Sequence, residues 1–164
     1  MGVMAKSASL PRLQLLESAL VVKSPAQITL SPTAEFVQHL RSGMEIKNLH
    51  AAPSFVTKDG SEIRELLADR NSAIRNQSLA EARLPVGAST QEHYHSKSEE
   101  IYFITAGRGR MRLEGELADV KPGDAIAIPP GQKHKLWNTG DETLSLLCCC
   151  SPGYEHSDTI LTEP

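Results

Sequence analysis

The sequence has few aromatic residues and no strong excess of charge of either sign. Aromatic side chains make up 4% of its 164 residues, so a folded core has to be built mainly from aliphatic side chains. Lysine and arginine total 17 and aspartate and glutamate 20, which gives a formal net charge of −3. A mildly acidic chain has no general electrostatic attraction for nucleic acid or for an anionic membrane. We therefore expect neither among its partners.

Cysteines and long apolar runs are also scarce. The only three cysteines are consecutive, at positions 148–150, and an odd, adjacent set builds neither a disulfide framework nor a zinc finger. The best apolar run near the amino terminus, residues 13–22, is interrupted by Glu17. It is too short to span a bilayer, and no convincing signal-peptide pattern accompanies it. These observations favour a cytoplasmic protein in a reducing compartment.

The length and the hydrophobic fraction of 40% suit one globular domain. We expect this domain to consist of residues 44–164 and to follow a distinct amino-terminal arm. In the arm, residues 1–43, the patterns at 12–22 and 32–41 predict short helices. We expect one or two helical turns at residues 62–69. Short segments separated by glycine and proline then predict an all-β sandwich or barrel. The predicted strands are 77–84, 100–106, 109–114, 117–120, 125–128, 133–138 and 143–150.

The placement of the histidines carries the clearest chemical information. His93 and His95 are two apart in an extended segment, so their side chains lie on the same face. Glu100 begins the next predicted strand, and His134 follows a turn rich in proline and glycine. Three imidazoles and one carboxylate suit one divalent transition metal per chain, with Mn, Fe, Ni, Zn and Co all acceptable. The alternatives are histidines kept for packing and a closed structural zinc site.

Two motifs around these residues resemble those of the cupin superfamily. They read Gly87-x5-His93-x-His95-x4-Glu100-x6-Gly107 and Gly123-x5-Pro129-x-Gly131-x2-His134-x3-Asn138. The resemblance covers about residues 46–164 and implies a double-stranded β-helix, or jelly-roll barrel, with a metal in its mouth. It also implies that Glu100, and not Glu99, is the carboxylate ligand. Segments 58–67, 148–152 and 158–159 are similar to single-domain cupins of the mannose-6-phosphate-isomerase-like type.

Three further residues are candidates for catalysis. Tyr102 shares the strand face of Glu100, so its hydroxyl can reach a cavity or its ring can pack in the core. Cys148 and Cys150 share one face of the last predicted strand, and Cys149 has the other. Strand parity does not decide which face points inward. The two interpretations are a thiolate near the metal and a small apolar core side chain.

This site favours an enzyme that acts on a small polyhydroxylated or sugar-phosphate substrate through an enediolate. The reaction would be an isomerisation or epimerisation, or the thiol-dependent conversion of a methylthio-sugar phosphate that is known among similar cupins. The base stays open among Glu99, Tyr102, His156 and the cysteines. The alternatives are an Fe(II) dioxygenase and a cupin that binds a small ligand without turnover. The resemblance also implies a homodimer.

Overall fold

The computed structural model describes residues 43–163. The arm predicted for residues 1–43 and its two helices therefore lie, apart from Gly43, outside the described residues. Within the described range no helix is long and apolar enough to cross a membrane.

The regular secondary structure of the described chain consists of short antiparallel strands and two 3₁₀ turns, at Leu49–Ala51 and His156–Asp158. In chain order the strands are β1 (Ser54–Val56), β2 (Glu62–Leu67), β3 (Ser78–Leu84), β4 (His93–His95), β5 (Glu99–Ala106), β6 (Gly109–Leu113), β7 (Glu116–Val120), β8 (Ala125–Ile128), β9 (His134–Asn138), β10 (Leu144–Ser151) and β11 (Thr159–Leu161).

The strands form two sheets. One sheet has the order β1-β2-β3-β10-β5-β8 and the other has the order β11-β4-β9-β6-β7. Several neighbours, such as β3 and β10 or β4 and β11, are distant in the sequence, and all pairings are antiparallel. This is the two-sheet jelly-roll arrangement that the sequence predicts.

The core between the sheets is aliphatic, as the shortage of aromatic residues requires. Its fully buried members include Leu84, Ile104, Leu136, Leu144 and Leu146. Burial alternates strictly along most of β5, because successive side chains of a strand point to opposite faces. The same alternation turns one face of β5 and β10 towards the cavity described below.

The seven predicted strands agree with the structure to within about a residue at most boundaries. The prediction of helical turns at residues 62–69 is wrong. Residues Glu62–Leu67 form β2, which pairs with β1 on one side and with β3 on the other. Main-chain hydrogen bonding to both neighbours outweighs the weak helical preference of this glutamate- and leucine-containing segment. The short strands β1, β4 and β11 were not predicted as separate elements.

Candidate metal centre

The four predicted ligands lie together inside the molecule. His93 and His95 are in β4, His134 begins β9, and Glu100 is near the start of β5. One ligand atom from each side chain lies within 4.8 Å of those of the other three. All four residues are buried, and His134 is completely inaccessible. The register explains part of this grouping, because His93 pairs directly with His134 across β4 and β9.

Main-chain carbonyl groups orient two of the imidazoles. Nδ1 of His93 lies 2.8 Å from the carbonyl oxygen of Gln91, and Nδ1 of His134 lies 3.0 Å from that of Gln132. A carbonyl oxygen only accepts hydrogen bonds, so Nδ1 carries the proton in both rings. Each Nε2 therefore presents a lone pair, which is the tautomer that a metal ligand needs.

Two inward-facing atoms at the centre are buried without a hydrogen-bond partner among the described residues: Oε2 of Glu100 and Nε2 of His134. Oε2 of Glu100 lies 3.4 Å from Nε2 of His95 and 3.4 Å from Nε2 of His134. Buried polar atoms are rarely left unpaired. Three imidazole nitrogens and a carboxylate oxygen converging on one point fit a divalent transition metal.

The electrostatics of the group favour an ionised carboxylate. Burial raises the pKa of Glu100, but the neighbouring imidazoles of His134 and His95 outweigh it and hold the pKa well below its ordinary range. Burial is the main cause that lowers the pKa of His93, and the neighbouring His134 imidazole acts in the same direction. For His95 burial also acts to lower the pKa, yet the Glu100 carboxylate raises it overall.

Tyr102, Cys148 and Cys150 line the same cavity as His93, His95 and Glu100. The register places Cys150 opposite Glu100 and Cys148 opposite Tyr102. The Cys150 thiol donates a hydrogen bond to Oε1 of Glu100 over 3.4 Å. The structure thus answers what strand parity left open: Cys148 and Cys150 face inward, while Cys149 lies on the other face and is half-buried.

The thiols and the phenol hold their protons in this environment. Burial first, and then the charge of Glu100, raise the pKa of Cys148, Cys150 and Tyr102. Two other candidates for the base lie elsewhere: Glu99 and His156 are exposed, and neither lines the cavity.

Sequence reasoning missed several cavity residues. Asp59, Thr57 and Ser61 come from the β1–β2 turn, and Tyr154 comes from the segment after β10. The ring centroid of Tyr154 lies 6.1 Å from that of His95. Only the pairing of distant strands brings these residues to the four predicted metal ligands.

A further missed residue, Asp158, holds the turn that links His95 to Glu100. Its carboxylate accepts hydrogen bonds from the main-chain N–H groups of Ser96, Lys97 and Ser98 and from the Ser96 hydroxyl. Burial raises the pKa of Asp158, but these hydrogen bonds, led by that of Ser96, lower it overall. The carboxyl-terminal segment is thus tied to the β4–β5 turn.

Comparisons with known proteins agree with this fold. The family described as "Cupin domain" matches residues 80–150. An uncharacterised protein of Methanocaldococcus jannaschii is 51% identical over 109 residues, covering 66% of this chain and 87% of its own. The oxalate-binding protein of Thermotoga maritima is 28% identical, covering 65% of this chain and 92% of its own.

Among solved structures, the polyketide cyclase RemF from Streptomyces resistomycificus superimposes with a TM-score of 0.64 and 20% identity. The match covers 74% of this chain and 87% of that protein, and at this identity it establishes the fold alone. The family match, the two motifs and the jelly-roll topology agree. The chain belongs to the cupin family.

Proposed function

We propose that this protein is a metal-dependent enzyme that acts on a small, oxygen-rich substrate. The observation that carries the proposal is the unpaired, inward-facing ligand atoms beside a cavity lined by the proton-bearing groups of Tyr102, Cys148 and Cys150. His93, His95, Glu100 and His134 would hold the cation. A divalent metal there supplies a Lewis acid for a substrate with two neighbouring oxygens, such as a hydroxyketone.

The chain's own residues suit proton transfer at a carbon beside a carbonyl group. The Tyr102 hydroxyl is neutral and buried, so it can donate a hydrogen bond to a substrate oxygen. The Cys148 and Cys150 thiols line the same cavity and carry protons that they can donate to a substrate oxygen or carbon. Leu84, Leu136 and other apolar side chains of the wall exclude water from the reacting atoms. An isomerisation or epimerisation of a hydroxyketone needs such a proton transfer at a carbon that is shielded from water.

Among the expected substrates, the side chains that line the cavity favour an uncharged polyhydroxylated compound. Among the described residues that line the cavity there is no lysine or arginine, whereas Asp59 and Glu65 are acidic. Phosphate sites in proteins ordinarily use such cations. A polyhydroxylated substrate without a phosphate therefore fits better than a sugar phosphate, and the inward-facing thiols keep a thiol-dependent conversion within the proposal.

The test is hydrogen exchange in deuterated water. The protein is loaded in turn with Mn²⁺, Fe²⁺, Ni²⁺, Zn²⁺ and Co²⁺ and mixed with dihydroxyacetone or glyceraldehyde. Proton NMR then follows the loss of the signal from the carbon beside the carbonyl. We expect metal-dependent exchange above the protein-free rate, which falls at least about 100-fold in His134→Ala. The exposed His156→Ala variant is the matched control and should retain the rate.

Absence of metal-dependent exchange with every substrate and metal would contradict the proposal. Oxygen uptake by the iron-loaded protein would then favour a dioxygenase. Binding of oxalate without any turnover would instead favour a ligand-binding role, like that named for the Thermotoga maritima relative.

A further inference from the structure

One buried carboxylate in the cavity is not used by the metal centre or by the proposed proton transfer. Asp59 lies in the turn between β1 and β2, is only 7% exposed and lines the cavity that contains His93, His95 and Glu100. Its carbonyl oxygen accepts a hydrogen bond of 2.7 Å from the main-chain N–H of Gln91, two residues before His93. The turn is therefore fixed against the segment that leads into β4.

The carboxylate of Asp59 is held by neutral donors only. The Thr57 hydroxyl donates to Oδ1, and the Ser61 hydroxyl lies 2.9 Å from Oδ1 and 3.1 Å from Oδ2. Within residues 43–163 no lysine, arginine or histidine makes an ion pair with Asp59. The adjacent Lys58 ammonium points elsewhere, to the carbonyl oxygens of His156 and Thr159 at 2.8 and 3.2 Å.

The other acidic residue of the wall is compensated. Glu65 forms an ion pair with Arg70 and accepts a hydrogen bond from the Asn71 amide. Asp59 is thus the carboxylate whose charge stays uncompensated at this wall of the described cavity. That charge reaches the metal ligands, because it acts to raise the pKa of both His93 and His95.

Asp59 also has unused capacity to accept hydrogen bonds. An ionised carboxylate accepts at about four lone-pair positions. Oδ2 has a single donor, the Ser61 hydroxyl, which it shares with Oδ1. A ligand hydroxyl can fill a vacant position, whereas a phosphate or carboxylate brings a second negative charge into a site of low dielectric constant.

We propose that Asp59 is a specificity-determining residue that accepts a hydrogen bond from a hydroxyl group of an uncharged substrate and disfavours substrates that carry a phosphate or carboxylate there. The inference rests on the proposed function in taking this cavity as the substrate site. It is independent of which reaction follows, because selection acts on binding.

The test compares two ligands that differ by one phosphate group. Dihydroxyacetone and dihydroxyacetone phosphate are titrated calorimetrically into the Mn²⁺-loaded full-length protein, and the ratio of their dissociation constants is the readout. We expect Asp59→Asn to shift the ratio towards the phosphate at least about 10-fold, because the variant keeps the shape and loses the charge. Asp69→Asn removes an exposed carboxylate just after β2 and should leave the ratio within about twofold.

An unchanged ratio in Asp59→Asn, or a shift away from the phosphate, would overturn the inference. If that variant does not fold, the Ser61→Ala variant provides the test. It keeps the Asp59 charge and removes a hydroxyl that competes for the carboxylate, so the preference for dihydroxyacetone over its phosphate should stay the same or increase. A decrease in that preference would overturn the inference. Failure of the wild-type protein to bind dihydroxyacetone would also overturn the inference. The hydrogen-exchange test can fail while the ratio shifts as expected, so the two proposals fail separately.

Discussion

At the scale of single residues, His93 and His134 use their ring nitrogens in the same way. In each, Nδ1 donates to the carbonyl oxygen of the residue two positions earlier in the chain. This local hydrogen bond fixes the tautomer and the plane of the ring before any ligand arrives. Both motifs therefore carry a built-in orientation of Nε2 towards the centre of the site.

The Cys150 thiol plays a comparable role for the carboxylate ligand. It donates to Oε1 of Glu100, so Oε2 remains directed at the imidazoles. We predict that Cys150→Ala weakens metal affinity about 10-fold, the size of effect seen when a group that orients a ligand is removed. A competition titration against a chromophoric chelator measures this affinity.

Cys149→Ala is the matched control, because Cys149 lies on the opposite face of the same strand. Equal affinities of the wild type and the Cys150→Ala variant would show that the thiol only packs in the wall.

At the scale of elements, the β4–β5 turn depends on a residue far along the chain. Asp158 satisfies three consecutive main-chain N–H groups between His95 and Glu100. We predict that Asp158→Asn lowers the free energy of unfolding by about 2 kcal/mol at neutral pH, because several charge-assisted hydrogen bonds to partly buried main-chain donors are lost. Urea unfolding monitored by circular dichroism measures the change.

The pH dependence of this loss has a definite sign. The folded-state pKa of Asp158 lies below its ordinary value of 3.8. Its contribution to stability is therefore complete above pH 3.8 and disappears as the pH falls through the folded-state pKa. The difference between wild type and Asp158→Asn should shrink in that acidic range. A difference that is constant down to the lowest pH, or one that the exposed Asp141→Asn variant reproduces, would count against the assignment.

The turn between β5 and β6, where the chain passes from one sheet to the other, requires glycine for two reasons. Gly107 has a φ of +78°, and a Cβ there would lie 2.8 Å from the main chain of Thr143 and Leu144. We predict that Gly107→Ala costs about 3 kcal/mol, because the strained conformation and the overlap with main-chain atoms add.

Gly115 offers the matched comparison, because its φ is +91° but its surroundings are open. Gly115→Ala should cost only about 1 kcal/mol, the conformational part alone. Thermal or urea unfolding of both variants separates the two contributions, and equal losses would refute the role of the close approach.

Local sequence patterns predict some structural elements correctly and others wrongly. The two-residue spacing of His93 and His95 and the turns at glycine and proline between strands are local properties, so the sequence predicts them correctly. Glu62–Leu67 has the composition of a helix, and only its position between β1 and β3 makes it a strand. Asp59 and Asp158 reach the site through pairings with distant segments, which no single-sequence pattern reports.

At the scale of the whole molecule, the candidate metal centre spans both sheets. His93, His95 and His134 belong to the five-stranded sheet, whereas Glu100 belongs to the six-stranded one. The site therefore exists only when the two sheets are packed on each other, and a bound metal would stabilise that packing by mass action. This arrangement makes metal binding a property of the complete domain.

Metal content of the purified protein tests the central claim most directly. Elemental analysis is made of wild type and of His93→Ala, His134→Ala and His156→Ala, each first checked for folding by circular dichroism. We predict about one divalent transition metal per chain in wild type and in the exposed His156→Ala control, and a loss of roughly 90% or more in the other two. An equal metal content in all four proteins would contradict the account.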